Sequence, residues 1–341
     1  MKLYLHFIIA LLYCANVFAA DTTYKIATSE KSDGKLIERK FEISPPTKTV
    51  EYNYPLIKIG AHSVPFSQIR EVTTVDGQVD YDTTYNIGEL GFRELPPKMS
   101  SKKFKTHFIV AGDSNTFGEG LNEEDTLPIQ LVKNNEFAHP YNFGVRGGAP
   151  NNTLALMEFF PWNKLIKEEK GIFIYNYYDF LQERVIGARN VNEWSKGIDP
   201  QYDLDTSGDL IYKGAFKDNF QGKFFKMVND SSFLRTLLPV MPRPQDRHSV
   251  IVAKIFLKMY NEYKKNFPEG SFYVVLSNYG IADAARMDKV KKELEKNHIP
   301  FITLPADQPY TAEMLFKDGH INSVGQKFAA DLILKGLPPM N

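Results

Sequence analysis

The chain has 341 residues, 43% hydrophobic and 24% charged, which excludes a wholly disordered chain and allows a core that needs no disulfide or metal staple. Lys plus Arg and Asp plus Glu are both 41, so the formal charge is zero. That excludes a surface built to wrap nucleic acid or to coat an anionic membrane.

Met1-Lys2 is a short basic start, residues 3–13 are an apolar run, and Val17-Phe18-Ala19-Ala20 ends in small residues. The pattern predicts a signal peptide over 1–20, cut after Ala19 or Ala20. The run is too short to span a bilayer, so no integral membrane segment is expected after cleavage. Cys14 is the only cysteine, and the bulky Tyr13 before it argues against lipidation. An exported chain without disulfides fits a periplasmic or secreted bacterial protein.

Residues 21–105 read as a strand-rich lead-in and linker. Val75-Asp76-Gly77-Gln78 is a turn signal, preceded by the β-branched Ile69, Val72, Thr73, Thr74 and Val75. After it, Val79, Tyr81, Thr83 and Tyr85 alternate with the period of a strand. Leu95-Pro96-Pro97 and a basic run to Lys105 form the linker.

From residue 106 apolar runs alternate with helical patterns, the signature of βαβ units and a parallel sheet. Strands are predicted over 107–111, 141–145, 171–177, 272–277 and 300–304. Helices are predicted over 125–134 with Asp125 or Thr126 as cap, and over 151–160 with Asn151 or Asn152 as cap. Further helices are predicted over 249–265, 281–298 and 322–334, the last capped by Asn322 or Ser323 with Val324, Phe328 and Leu332 along its apolar stripe. The stretch between the third and fourth strands exceeds what a crossover needs, so an insertion is expected at about 185–247, with a hairpin around Thr206-Ser207-Gly208-Asp209.

Three segments can carry chemistry. The first strand ends in Gly112-Asp113-Ser114, and ligands of parallel sheets sit beyond the carboxyl ends of strands. Ser114 stands where a nucleophile belongs, its own N–H aimed at the same space, and Gly112 is expected to let a substrate approach closely. Near the C-terminus lies Asp318-Gly319-His320 before the last helix. A serine needs a base, and the base needs a carboxylate to orient it. The second strand ends in Asn142-Phe143-Gly144-Val145-Arg146-Gly147-Gly148, whose bare N–H groups could hold an oxyanion. His6, His62, His107, His139, His248 and His298 have no such context and read as core or surface residues. No His/Cys/Asp cluster has metal-ligand spacing, so neither a metal nor a cofactor is expected.

Together these segments resemble the SGNH (GDSL-type) hydrolase superfamily. Gly112-Asp113-Ser114 is similar to its first block, Asn142 to Gly147 to its second, and Asp318-Gly319-His320 to its last, with one residue fewer between Asp and His than usual. The lead-in from Tyr85-Asn86 to Gly91-Phe92-Arg93 is similar to that of exported bacterial members. The resemblance implies a three-layer α/β/α fold with a mostly parallel, flavodoxin-like sheet over 106–341. It implies Ser114 as nucleophile, His320 as base, Asp318 as its partner, and backbone donors at Ser114 and Gly147. The third block departs: where an oxyanion Asn normally stands, the chain has Asn176-Tyr177-Tyr178-Asp179. Tyr178, Asn176 after a register change, or neither could supply that donor. The expected function is an exported serine esterase acting on short acyl esters, acetyl above all, with a small molecule or glycan as the alcohol part and no nucleic-acid partner. A polysaccharide O-acyltransferase using the same triad, or a carbohydrate-binding protein that lost the hole, stay open.

Overall fold

The computed structural model describes residues 23–338 apart from 33, 48–57, 61, 97, 98, 100–102, 238–240 and 278–283. The expected signal peptide, with Cys14, lies outside the described residues.

Alternating apolar residues build the first sheet. Strands β1 (Tyr24–Ser32), β2 (Lys35–Ile43), β3 (Gln68–Val75) and β4 (Gln78–Asn86) form an antiparallel meander in chain order. Asp76 and Gly77 turn β3 into β4 with φ of 51° and 77°, the positive values a two-residue hairpin turn needs. Tyr81, Thr83 and Tyr85 are buried as their spacing predicts, but Val79 is 63% exposed. A bulge causes the departure. Thr73 pairs with Tyr81 and Thr74 with Val79, which leaves Asp80 as the extra residue and turns Val79 to solvent. Phe41, Ile43, Ile69, Tyr85 and Ile87 form a small core together with Phe117 of the next unit.

The second sheet is parallel. In chain order come β5 (Thr106–Gly112), α1 (Ser114–Phe117), α2 (Leu127–Val132), β6 (Ala138–Gly144), α3 (Pro150–Phe159) and β7 (Gly171–Tyr177). Then follow α4 (Leu181–Val185), α5 (Arg189–Ser195), the antiparallel pair β8 (Pro200–Leu204) and β9 (Leu210–Ala215), α6 (Phe220–Asp230), α7 (Ser232–Leu237) and α8 (Asp246–Asn266). The chain ends with β10 (Ser271–Leu276), α9 (Ala284–Lys296), β11 (Phe301–Thr303) and α10 (Ser323–Gly336). The strand order is β11-β10-β7-β5-β6, and every neighbouring pair is parallel. Counted along the chain this is the doubly wound 2-1-3-4-5 order of flavodoxin-like sheets. Helix α2 packs with α10, while α3 and α9 pack with α8, giving helical layers on either side of the sheet. A sheet covered on both faces needs apolar strands, and Phe108, Ile109, Val110 and Ala111 of β5 are at most 1% exposed.

Several details differ from expectation. Helix α2 starts after Thr126, whose hydroxyl donates to the Glu123 carbonyl and caps nothing. Ala149 is the N-cap of α3, and Asn152 reaches back to accept from its N–H, because Pro150 opens the helix one residue early. Val324 is 55% exposed, since α10 turns Gly325, Ala329, Leu332 and Ile333 inward instead. Asn322 does cap α10, accepting from the Val324 and Gly325 N–H groups. The hairpin falls between β8 and β9, where the Asp205 carboxylate accepts from Ser207 and Asp209 N–H.

Candidate active site

Strand β5 delivers Ser114 to the carboxyl edge of the parallel sheet. Asp113 caps the single-turn helix α1 by accepting from the Asn115 N–H, which fixes Ser114 at its first position. Gly112 serves a different purpose from the one expected. A Cβ there would stand 2.2 Å from Thr116 Oγ1, so the residue lets α1 fold down on the strand end and leaves no opening for substrate. Gly144, its partner across β6, has the same role, since a Cβ would stand 2.1 Å from the Phe117 nitrogen. Among the described residues, the Ser114 and Gly147 N–H groups donate to no protein acceptor. Gly147 has a φ of 70°, which the turn after β6 requires.

His320 comes from a tight loop before α10. Phe316 N–H donates to the His320 carbonyl, and Leu315 bridges to Ile321. Gly319 turns the tip with a φ of 99°, so one intervening residue is enough to bring Asp318 and His320 together. Asn115 ties this loop to α1: its side chain accepts from Ile321 N–H, and its carbonyl accepts from the Gln326 side chain.

The resulting distances are short. Ser114 Oγ lies 3.1 Å from His320 Nε2, and Asp318 Oδ2 lies 2.9 Å from His320 Nδ1. Asp318 Oδ1 accepts from the His320 backbone N–H. The Asp318 side chain is fully buried and His320 is 18% exposed. Burial pushes the Asp318 carboxyl up, but His320 beside it and then Arg39 hold it well below the usual carboxylate range. Burial also works against a charged His320. The Asp318 and Glu119 carboxylates outweigh it and push the imidazole up to about 9.

The first sheet closes round this pair, which the sequence reading did not anticipate. Arg39 of β2 donates to Asp318 Oδ2 at 3.2 Å, and the Tyr81 hydroxyl of β4 donates to the same oxygen at 3.0 Å. Asp80, the bulged residue, accepts from the Lys317 and Asp318 N–H groups. Behind them Glu71 of β3 is fully buried; it accepts from Tyr85 OH and lies 3.0 Å from Arg146. Glu119, just past α1, takes a two-pronged pair from Arg146 at 3.1 and 2.7 Å. A signal for these groups exists in the alternation. Arg39 is in phase with Ile37, Phe41 and Ile43, and Glu71 with Ile69, Thr73 and Val75, so both stand on the apolar face, where a charge needs a partner.

Asn176 near the end of β7 and Tyr178 just past it meet each other. Asn176 donates to the Tyr178 hydroxyl at 2.9 Å and accepts from Ser277 at 2.6 Å. Both are buried. Arg184 of α4 donates to the Gly148 carbonyl at 2.9 Å and lies 3.6 Å from Asp113. Its guanidinium covers the partly exposed rings of Phe180 and Trp194. Among the described residues no group of three or more His, Cys, Asp and Glu side chains could hold a metal ion. Among the same residues no helix is long and apolar enough to cross a membrane.

No family model matches the sequence and no curated protein matches it. Solved structures are similar over most of the chain. A family two carbohydrate esterase from Clostridium thermocellum, in complex with cellohexaose, overlaps 93% of this chain and 88% of its own, at 10% identity and a TM-score of 0.41. An acetyl xylan esterase from Butyrivibrio proteoclasticus covers 74% of this chain and 65% of its own, at 12% identity and a TM-score of 0.37. A protein assigned to the G-D-S-L lipolytic family from Desulfitobacterium hafniense covers 68% of this chain and 100% of its own, at 11% identity and a TM-score of 0.36.

Proposed function

We propose that this chain is an exported serine esterase of the SGNH type, with Ser114, His320 and Asp318 as its triad. One observation carries the reading: Ser114 Oγ, His320 and Asp318 form a continuous hydrogen-bonded line, at 3.1 and 2.9 Å, at the carboxyl edge of a parallel sheet. Neutral His320 takes the serine proton on Nε2 while Oγ bonds to the ester carbonyl carbon. The oxyanion is held by the N–H groups of Ser114 and Gly147, which have no protein acceptor among the described residues. The bond to the alcohol then breaks, and its oxygen takes the proton from Nε2. Water repeats the sequence on the acyl-enzyme, its proton passing to Nε2 and on to Ser114 as the acid leaves. Asp318 keeps the ring in the right tautomer and stabilises its charged form.

The hole is assigned to two backbone donors because Asn176 and Tyr178 are occupied with each other and with Ser277. The substrate is a short acyl ester, acetyl above all, with a carbohydrate as the alcohol part. Residues 1–20 support export to the periplasm or beyond. On this reading the lead-in and linker span 21–105 and the hydrolase domain 106–341, with its insertion at about 185–247.

The test is hydrolysis of p-nitrophenyl esters of increasing acyl length, followed by acetylated glycans. Release of short acids by the wild type and none by Ser114→Ala is expected. No hydrolysis of any ester would overturn the reading in favour of a binding protein. Acetylated sugar formed from an added glycan acceptor would reassign the chain as a transferase.

A further inference from the structure

The base of the proposed triad has a second carboxylate on its other side. Glu119 Oε2 lies 3.6 Å from His320 Nε2, the same nitrogen that faces Ser114. Gly118 and Gly120, with φ of 82° and 83°, flank it and turn the chain so that the side chain points back to the site. It is 7% exposed, so water screens it little. Arg146 grips both of its oxygens, and Arg146 immediately precedes Gly147. One carboxylate therefore touches the edge of the base and fixes the turn that carries an oxyanion donor.

The charges around His320 point the same way. From its own loop Asp318 faces it; from the exit of α1, Glu119; from the start of α1, the buried Asp113. From β2 comes Arg39, and from β4 the Tyr81 hydroxyl bonded to Asp318. Glu71 lies behind, against Arg146 and within 3.8 Å of Arg39. Arg184 stands by Asp113, and Glu30 meets Arg39 at its exposed end. In the inner cluster three carboxylates, Glu71, Glu119 and Asp318, meet two guanidiniums, Arg39 and Arg146. Burial pushes Glu71 up from the usual carboxylate range, so Glu119 and Asp318 are the carboxylates that act most on the imidazole.

We infer that Glu119 is a positioning residue that holds the protonated form of His320 from the Nε2 side, so that the resting base is an imidazolium between two carboxylates. The inference rests on the reading of His320 as general base. Its consequence is an alkaline threshold: the serine proton has nowhere to go until His320 is neutral. It also eases the later half of each step, in which the imidazolium has formed and must stay in place. The direction agrees with the electrostatics, which push His320 up to about 9. They bring Glu119 down to about 2, where burial opposes and Arg146, then His320, prevail.

The test follows the His320 ring by NMR titration of the full mature chain, which needs no ester activity. In the wild type a midpoint well above 6.5 is expected, and one at or below the ordinary value overturns the inference. In Glu119→Gln the midpoint should fall by about one unit or more, since a charged partner within a few ångströms is lost. The acid limb of kcat/KM should move with it, raising the rate at neutral pH about tenfold relative to the alkaline plateau. Glu119→Asp should restore part of the shift. Glu168→Gln, which removes the carboxylate 2.6 Å from His139 at the opposite edge of the sheet, should leave the His320 midpoint unmoved. A folded Glu119→Gln with an unmoved midpoint overturns the inference. If that variant does not fold, the wild-type midpoint and Glu119→Asp still decide. Absence of ester hydrolysis with the expected midpoints would sink the esterase reading, and with it the alkaline threshold, while the hold of Glu119 on the His320 proton would stand.

Discussion

Strand β5 reaches Ser114 through four consecutive apolar residues, Phe108 to Ala111. The antiparallel sheet reaches Asp318 through polar side chains set among apolar neighbours: Arg39, Glu71, Tyr81 and the bulged Asp80. The nucleophile side is held by close packing, where glycines let α1 lie against two strand ends. The base side is held by charge, where buried groups are bearable only as a matched set. A parallel sheet can thus supply a rigid nucleophile by itself, while the carboxylate that orients its base is held by a second sheet from the other end of the chain.

The largest expected effects lie at the junction of the two. Ser114→Ala should lower ester hydrolysis by at least about a thousandfold. Its hydroxyl bonds to His320 beside solvent at the sheet edge, so the melting temperature should hardly move. Asp318→Asn should cost about as much in rate, because an amide favours the wrong tautomer of the ring. Near-wild-type turnover in Ser114→Ala would mean that the packed side does not carry the nucleophile, and in Asp318→Asn that the charge-held side does not orient the base. The pH profile belongs to the same comparison. His320 must be neutral to act, and its partners push it up to about 9, so the rate should climb through the alkaline range. A rate flat from about pH 5 to 8 would contradict the charge-held base.

Next comes the stability of the charge-held side. Glu71→Ala should destabilise the protein by about 3 kcal/mol, because it strands part of the Arg146 charge in the interior. A large apolar-to-Ala change in β5 acts by a different route, leaving a cavity. Urea unfolding separates the routes: burial pushes the Glu71 carboxyl above its ordinary value, so the wild type gains stability as that group protonates and the loss on Glu71→Ala should grow as pH falls through it, whereas a cavity has no such dependence. A pH-independent loss would mean that the pocket is held by shape alone.

The difference between the regions also explains what the sequence made legible. The bounds of β7, the strand end at Gly112-Asp113-Ser114 and the Asn322 cap follow from apolar runs and turn chemistry, which are local. The approach of Asp318 to His320 was readable for the same reason. The ties from Arg39 and Tyr81 to Asp318 bridge 279 and 237 residues, and no local pattern announces them. The alternation did place Arg39 and Glu71 on an apolar face, but it named no partner. Val79 misled because a bulge is a single-residue event that a period of two conceals.

A smaller effect is expected at Asn176 and Tyr178. Tyr178→Phe leaves a buried amide donor without its acceptor, a loss of about 1–3 kcal/mol in stability. Asn176→Ala strands Ser277 in the same way. With the oxyanion on backbone donors, neither should lower kcat by more than about tenfold. A fall of about a hundredfold or more, with KM unchanged, would assign one of them to the hole.

The smallest effect should come from Tyr81→Phe, and its sign is informative. The Tyr81 hydroxyl lies 3.0 Å from Asp318 Oδ2 and 3.4 Å from Glu71, so its one proton goes to Asp318. Removing it leaves Asp318 with Arg39 and His320, so the carboxylate stays paired and the protein should lose only about 1 kcal/mol. A carboxylate with one donor fewer keeps more of its charge for the imidazole. His320 should then hold its proton more tightly, and the acid limb of kcat/KM should move to higher pH, opposite to the shift expected for Glu119→Gln. Opposite shifts from Glu119 at Nε2 and from Tyr81 acting through Asp318 at Nδ1 would locate control of the base in the charged cluster. Shifts of the same sign would mean that both substitutions simply loosen the loop that carries His320.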